Sequence, residues 1–197
     1  EINPEGLYAV VEPGVRTSDL QDAAEQQDLF YAGDPCSGDS CFIGGNIATN
    51  AGGNRAVKYG TTRHQVYSVE VVNPKGRIVT LGARLQKQST GYSLDQLIIG
   101  SEGTLGIITK ATLKLVPKPK YALDLLAIFD DRKKAMGVVT KLIKAGITPT
   151  CVEFMDNITI KSVEKYLNET LQGSDNGNYI IIEVEGTNED DLDDKAV

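Results

Sequence analysis

Twelve residues constrain this chain more than any others: Phe42-Ile43-Gly44-Gly45-Asn46-Ile47-Ala48-Thr49-Asn50-Ala51-Gly52-Gly53. Two glycine pairs bracket Asn46, Thr49 and Asn50, with little bulk and no charge between them. Glycine lets a backbone approach a ligand closely and take positive φ, while Asn and Thr supply short, orientable hydrogen bonds. Such a segment fits a large, flat, phosphate-bearing group held mostly by main-chain atoms. It does not fit a metal, which needs clustered His, Cys or carboxylate ligands. Glycine pairs alone are ordinarily turns. A second run, Gly100-Ser101-Glu102-Gly103-Thr104-Leu105-Gly106-Ile107-Ile108-Thr109, strengthens the signal, because its glycines lead straight into a strand pattern.

The chain of 197 residues is long enough to bury a sizeable core in one or two domains. Apolar residues make up 41% and charged residues 24%, an ordinary globular composition. A net charge of −7 without any basic run argues against a nucleic-acid partner. No apolar stretch reaches the length of a membrane span, and no signal segment opens the chain, so a cytoplasmic location is the default expectation. Three cysteines (Cys36, Cys41 and Cys151) are odd in number and sparse, which fits free thiols in a reducing compartment. Both ends read as cut, and the acidic stretch from Thr187 to Val197 reads as the capped first turn of a helix or as an acidic tail.

Periodicity gives the organisation. Leu7 to Val11 reads as a strand stopped by Pro13-Gly14. Thr17-Ser18 with Gln21 reads as a capping box opening a helix whose apolar face carries Leu20, Ala23 and Ala24. Residues 32–62 are dense in Gly, Pro, Asn and Ser and predict loop with at most one short helix. Val66 to Val72 and Ile78 to Leu81 form a hairpin about Asn73-Pro74-Lys75-Gly76. From Gly106 to Val116 the alternation puts Ile107, Ala111, Leu113 and Leu115 on one face, opposite Lys110, Thr112 and Lys114. Pro117-Lys118-Pro119 reads as a stiff linker. Beyond it come a strand (Tyr121 to Phe129), a helix capped by Asp130 or Asp131 that carries Ala135, Met136, Val139, Leu142 and Ile143 to Gly146, and a strand (Cys151 to Phe154). A helix capped by Asp156 with Ile160, Val163 and Leu167 follows, closed by Gly173, then a buried strand from Tyr179 to Val184.

Val11-Glu12-Pro13-Gly14-Val15, Asp34-Pro35, Ile43-Gly44-Gly45-Asn46, Asn50-Ala51-Gly52-Gly53, Lys58-Tyr59-Gly60, Gly91-Tyr92 and Gly100 to Thr109 occur in an order and spacing that matter together. They resemble the FAD-linked oxidases of the vanillyl-alcohol oxidase and p-cresol methylhydroxylase type. Within that family they are most similar to the glycolate oxidase flavoprotein subunit and the D-lactate and D-2-hydroxyglutarate dehydrogenases. The resemblance covers residue 7 to about residue 119. It implies an α+β fold: the second half of a PCMH-type FAD-binding domain over residues 1–119, then the start of a ferredoxin-like cap domain over residues 120–197. Glu153-Phe154-Met155-Asp156 also looks like the family's opening of the second cap helix.

By resemblance, FAD contacts fall on Pro35, Cys36, Ser37 and Gly38, with Cys41 and Phe42 beside them. The resemblance carries the same role to Gly44, Gly45, Thr49, Asn50, Ala51, Gly52 and Tyr59, and to Glu102, Gly103, Thr104, Leu105, Gly106, Ile107 and Ile108. Each has a plainer reading. The 34–41 segment can be a Ser-rich turn, Asn46 can cap a following helix, and Tyr59 can simply pack its ring. Cys36 stands where relatives carry a small residue, and C-x4-C without other ligands is a poor metal site. Glu102 lies in a glycine turn with no partner in view, so cofactor orientation or a structural role suits it better than general-base work. His64, the sole histidine, reads as a surface or packed residue, and one histidine supports no Ser-His-Asp triad.

The resemblance implies a parent protein that oxidises a 2-hydroxy acid to the 2-oxo acid, with FAD carrying the redox chemistry. Its partners would be a small hydroxy acid and an electron acceptor, with a homodimer or an iron-sulfur or other electron-transfer protein as further expectations. In relatives, covalent FAD attachment, the pyrophosphate-gripping loop and the substrate-handling histidine cluster lie outside the region matched here. The chain by itself is therefore expected to be inactive and to bind FAD weakly or not at all. Two other readings stand beside this one: a non-catalytic docking module, and an FAD-dependent reductase of the cell-wall-precursor type.

Overall fold

Alternating side chains decide the first sheet, and the slip in that alternation at Thr109 decides which face Ile107 and Ile108 take. The computed structural model describes residues 1–186 and 188–196. The chain separates into two compact units, Glu1–Lys118 and the stretch from Pro119 onward.

The first unit runs β1 (Ile2–Asn3), β2 (Tyr8–Val11), α1 (Thr17–Glu25), β3 (Leu29–Phe30), α2 (Ile43–Thr49), α3 (Ala56–Tyr59), α4 (Thr62–Gln65), β4 (Val66–Val72), β5 (Ile78–Gly82), α5 (Leu94–Ile98), β6 (Ile107–Lys114) and β7 (Val116–Pro117). Five strands form an antiparallel sheet in the order β1-β2-β6-β4-β5, and β3 pairs with β7 in a separate ribbon. Ala9, Val69, Val71, Ala111 and Leu113 make its buried face, against Leu20 and Ala24 of α1 and Ile43 and Ile47 of α2. Each fully buried Ile or Leu in this layer contributes about 1.5–3 kcal/mol.

The second unit runs β8 (Tyr121–Phe129), α6 (Arg132–Met136), α7 (Val138–Lys144), β9 (Cys151–Met155), α8 (Asn157–Leu167), β10 (Asn178–Gly186) and α9 (Glu189–Ala196). Its antiparallel sheet has the order β8-β10-β9, so the Ile-rich β10 is central. Ala135 of α6 and Leu192 of α9 join Ile180, Ile182 and Val184 in the core.

Several expectations are corrected. The capping box at α1 does not form: Thr17 is already helical, and its hydroxyl is engaged with Cys41 and Asn46. The 32–62 stretch holds α2 and α3 and the first residue of α4, because tertiary contacts stabilise turns too short and glycine-rich to form alone. Ile107 does not share a face with Ala111. The β4–β6 register slips between Glu70↔Lys110 and Val71↔Ile108, leaving Thr109 as the extra residue. Such a bulge turns the residues beyond it onto the other face, so Ile108 packs on the core and Ile107 is 69% exposed. Thr112 is buried rather than on a solvent face. Pro117 pairs with Leu29 instead of belonging to a free linker.

In the second unit, Asp131 is the cap, accepting from the Lys134 N–H, but the predicted long helix breaks at Gly137 into α6 and α7. Its core side chains there are Ala135, Val138 and Leu142, whereas Met136 and Ile143 are exposed. Asp156 caps α8, which ends at Asn168 in the left-handed region before Gly173 is reached. Asn188 accepts from the Asp191 N–H at the start of α9. Of the predicted acidic terminal segment, Thr187 and Val197 lie outside the described residues.

Candidate functional site

The first glycine pair lies at the start of α2, and its two members do different work. A Cβ on Gly44 would sit 2.5 Å from the Pro13 Cβ, so glycine lets α2 lie directly on the Pro13-Gly14 turn. The Ile43 and Gly44 N–H groups donate to Val15 O and Pro13 O, both at 2.9 Å. Gly45 is the opposite case, with no atom within 4 Å of where a Cβ would project. Thr49, one turn on, donates its hydroxyl to Gly45 O at 3.0 Å and remains exposed. Asn46 is inside the helix and buried, so it caps nothing. Its Nδ2 donates to Thr17 Oγ1 at 2.8 Å, and that hydroxyl lies 3.1 Å from Cys41 Sγ. Three buried or half-buried polar groups thus satisfy one another.

Asn50 ends α2 in the left-handed region at φ 49°, which Asn tolerates better than most residues. Its Oδ1 accepts from Thr61 Oγ1 and from the Arg63 N–H, and Ala51 O accepts from the Thr62 N–H and hydroxyl. Gly52 faces open space, whereas a Cβ on Gly53 would lie 1.8 Å from Asp34 O. That close approach seats the second glycine pair on the Asp34-Pro35 corner, where Arg55 also reaches the Asp34 carboxylate at 3.5 Å.

The Pro35–Cys41 loop rests on the start of α1, since Ser18 and Thr17 donate their N–H groups to Gly38 O and Cys41 O. Inside the loop, the Gly38 N–H donates to Pro35 O and the Cys41 N–H to Ser37 O. Cys36 and Ser37 are exposed, and all three cysteines are free thiols. Tyr31 is fully buried beside Gly33, and its hydroxyl has no partner among the described residues. Burial first, and nearby Cys41 second, push that phenol up, so it stays neutral.

The second glycine segment is tied to the first by main-chain bonds. The Gly100 and Glu102 N–H groups donate to Ile47 O and Ala48 O at 3.0 and 2.9 Å. Glu102 takes φ 51°, a conformation costing a non-glycine residue roughly 1–2 kcal/mol. Thr104 spends its N–H and hydroxyl on Ser101 O. Gly103 faces open space, and Gly106 packs against Val71 and Val72. Leu105 is 40% exposed on the same turn.

These ties create a groove of about 410 Å³. The predicted residues Phe42, Gly44, Gly45, Gly103, Gly106, Ile107 and Ile108 all line it. Four others line it too: Pro13, Gly14, Ala48 and Ser101. Their signal lay in the Pro13-Gly14 turn motif and in the one-turn spacing of Ala48 from Gly44. The groove falls in the range of small-molecule sites, ~300–1,000 Å³, and its apolar rim includes Phe42 and Ile107, both at least half exposed.

The remaining predicted residues lie elsewhere. Pro35, Cys36, Ser37, Gly38 and Cys41 stay on their loop, and Thr49, Asn50, Ala51 and Gly52 sit at the far end of α2. Glu102, Thr104 and Leu105 shape the second turn without lining the groove. Tyr59 belongs to a separate polar cavity with His64, Tyr67 and Asp95, and its ring packs on Phe30 at 5.9 Å. His64 is exposed, with Nδ1 3.4 Å from Thr61 Oγ1.

No side chain lining the groove ionises, so the groove can hold and orient but cannot itself exchange protons. Its shape fits a flat, largely apolar ring approached by bare backbone at Gly45 and Gly103. Among the described residues, no three His, Cys, Asp or Glu side chains converge as a metal site. Among them too, no helix is long and apolar enough to cross a membrane.

Comparison with known proteins gives the groove its context. An FAD binding domain family matches residues 1–82, and the C-terminal domain of FAD linked oxidases matches residues 118–196. The chain is 41% identical to the D-lactate dehydrogenase of Anaerostipes hadrus over 96% of this chain and 41% of that protein. It is 46% identical to the glycolate oxidase subunit GlcD of Bacillus subtilis (strain 168), over 84% of this chain and 35% of that protein. The chain thus spans between 35% and 41% of the length of these relatives. A solved structure of alkyldihydroxyacetonephosphate synthase has the same fold, with a TM-score of 0.79 and 25% identity, matching all of this chain and 38% of that one. Two matched domains, these relatives and that shared fold lead to one conclusion: the chain belongs to the FAD-linked oxidases of the vanillyl-alcohol oxidase and p-cresol methylhydroxylase type, whose cofactor is FAD.

Proposed function

We propose that this chain supplies a flavin-facing surface of an FAD-dependent oxidoreductase that converts a 2-hydroxy acid of the glycolate, D-lactate or D-2-hydroxyglutarate type into the 2-oxo acid. One observation carries the reading: Gly44-Gly45 and, more than fifty residues on in sequence, Gly103, Gly106, Ile107 and Ile108 line a single apolar groove. Residues 1–119 act as the FAD-binding part and residues 120–197 as the start of the cap domain. FAD held in that groove would supply the redox chemistry of hydroxy-acid oxidation and of electron transfer to an acceptor. The chain's own residues bind and orient it. Gly45 and Gly103 admit the ring edge to their main-chain groups, while Phe42 and Ile107 cover it and exclude water. The Pro35–Gly38 loop, Cys41, and Thr49 to Gly52 contact the rest of the cofactor, and Tyr59 borders it. The reaction proceeds in the cytoplasm.

The acceptor is an iron-sulfur or other electron-transfer protein, and a homodimer is a further assembly of the same reading. The names of the relatives favour hydroxy-acid oxidation over the reductase reading, since they are D-lactate dehydrogenases and glycolate oxidase subunits. An NMR titration with FAD tests the assignment even at weak affinity. Addition in millimolar steps is expected to shift the Gly45, Gly103 and Ile107 amides and leave those of β8 and β10 in place. Shifts confined to other residues, or none at all, would remove the groove from the flavin site.

A further inference from the structure

From the same geometry we infer that Arg63 is a positioning residue that sets the second glycine turn against the first. The role rests on the flavin reading of the groove, but the contacts behind it do not. Arg63 lines no part of the groove. Its main-chain N–H donates to Asn50 Oδ1 at 3.0 Å, which anchors it to the end of the first glycine segment. Its guanidinium reaches the other way. Nη1 donates to Gln96 O at 3.1 Å and to Gln96 Oε1 at 3.3 Å, and Nη2 donates to Ile99 O at 3.1 Å.

Those carbonyls belong to the last turn of α5, a five-residue helix too short to persist without outside partners. Arg63 therefore closes the end of α5 and fixes the residue immediately before Gly100. Gly100 turns there with φ 85°, and a Cβ on it would lie 3.3 Å from the Asn50 Cβ and 3.6 Å from Arg63 Nη2. Asn50, Arg63 and Gly100 thus form one packed unit, with Asn50 two residues after the groove-lining Ala48 and Gly100 directly before the groove-lining Ser101. The contacts are split between two nitrogens of one planar fork, Nη1 on Gln96 and Nη2 on Ile99, and a Lys ammonium, whose three donors sit on a single nitrogen, cannot reproduce that spread.

Hydrogen exchange on the intact chain reads this directly, because the Gly100 and Glu102 amides make the two bonds that join the glycine segments. Arg63→Lys and Arg63→Ala are expected to speed exchange at Gly100 and Glu102 at least tenfold while the Val69, Val71 and Leu113 amides keep their rates. Arg63→Lys retains the charge and the main-chain bond to Asn50, and serves if Arg63→Ala does not fold. Free guanidinium at low millimolar concentration, but not ammonium, should restore part of the protection in Arg63→Ala. Unchanged exchange at the two amides in Arg63→Lys, or equal acceleration across the five-stranded sheet, would overturn the assignment. A wild-type chain whose Gly45 and Gly103 amides ignore FAD would defeat the flavin reading alone and leave the exchange result to judge the bridge.

Discussion

In the first unit Asn46 and Arg63, which hold the glycine segments, bond across the sequence, whereas the side chains that accept from the first-turn N–H groups of α6, α8 and α9 in the second unit bond locally. Asn46 bonds Thr17 across 29 positions, and Arg63 bonds Ile99 across 36. In the second unit Asp131, Asp156 and Asn188 each accept from an N–H only three positions on. The difference has a physical cause. Long apolar strands and capped helices hold their own shape, so local bonds suffice there. Glycine turns have no side chains to pack and give up the most chain entropy on ordering. They stay in place only when distant residues hold them.

The sharpest way to break this comparison is to substitute glycines of one type and spare those of the other. Gly53→Ala should destabilise the first unit by about 3 kcal/mol, because the new methyl would meet the Asp34 main chain and force it to move. Thermal unfolding measures this, and a stable Gly53→Ala would show that the Asp34 corner yields easily. Gly45→Ala is the counterpart. It meets no atom within 4 Å, so stability should hold or rise by up to about 1 kcal/mol through helix propensity. FAD affinity should nonetheless drop about tenfold, or ~1.4 kcal/mol, as the methyl occupies the groove. The NMR titration decides, since equal affinity would place the ring away from Gly45.

The smallest effect concerns pH in the second unit. The Ser174 hydroxyl first, then the Leu171 N–H and Lys161, hold the Glu164 carboxyl down at about 2 against an ordinary 4.5. The N–H groups of Lys134 and Thr159 likewise lower Asp131 and Asp156. A carboxyl depressed on folding stabilises the fold above its unfolded pKa, and that stabilisation is lost as pH falls through the folded value. Protection of the Ile180 and Ile182 amides should therefore decline between pH 4.5 and about 2, with a shallower decline in Glu164→Gln. Identical slopes in the two proteins would show that Glu164 gains no net stabilisation from its partners.

The same contrast explains what could be read from the sequence alone. The strand at Tyr121–Phe129 and the caps at Asp131 and Asp156 were legible because their causes lie within a few residues. The two glycine segments stood out by composition, and Gly44, Gly45, Gly103 and Gly106 meet in one groove. One short helix was allowed between residues 32 and 62, but α3 and α4 were hidden, since no local pattern explains a four-residue turn held by tertiary bonds. Arg63 gave no signal at all, because its guanidinium meets Gln96 and Ile99, more than thirty positions away. Ile107 was assigned to the buried face because alternation assumes an unbroken register, and Thr109 breaks it.

That one-residue slip divides labour along β6. Below it, the side chains answer to the sheet and cannot change size freely. Above it, Ile107 has left the core and answers only to whatever fills the groove. A chain built this way can retailor the wall of this groove, larger or smaller at position 107, while its fold pays almost nothing for the experiment.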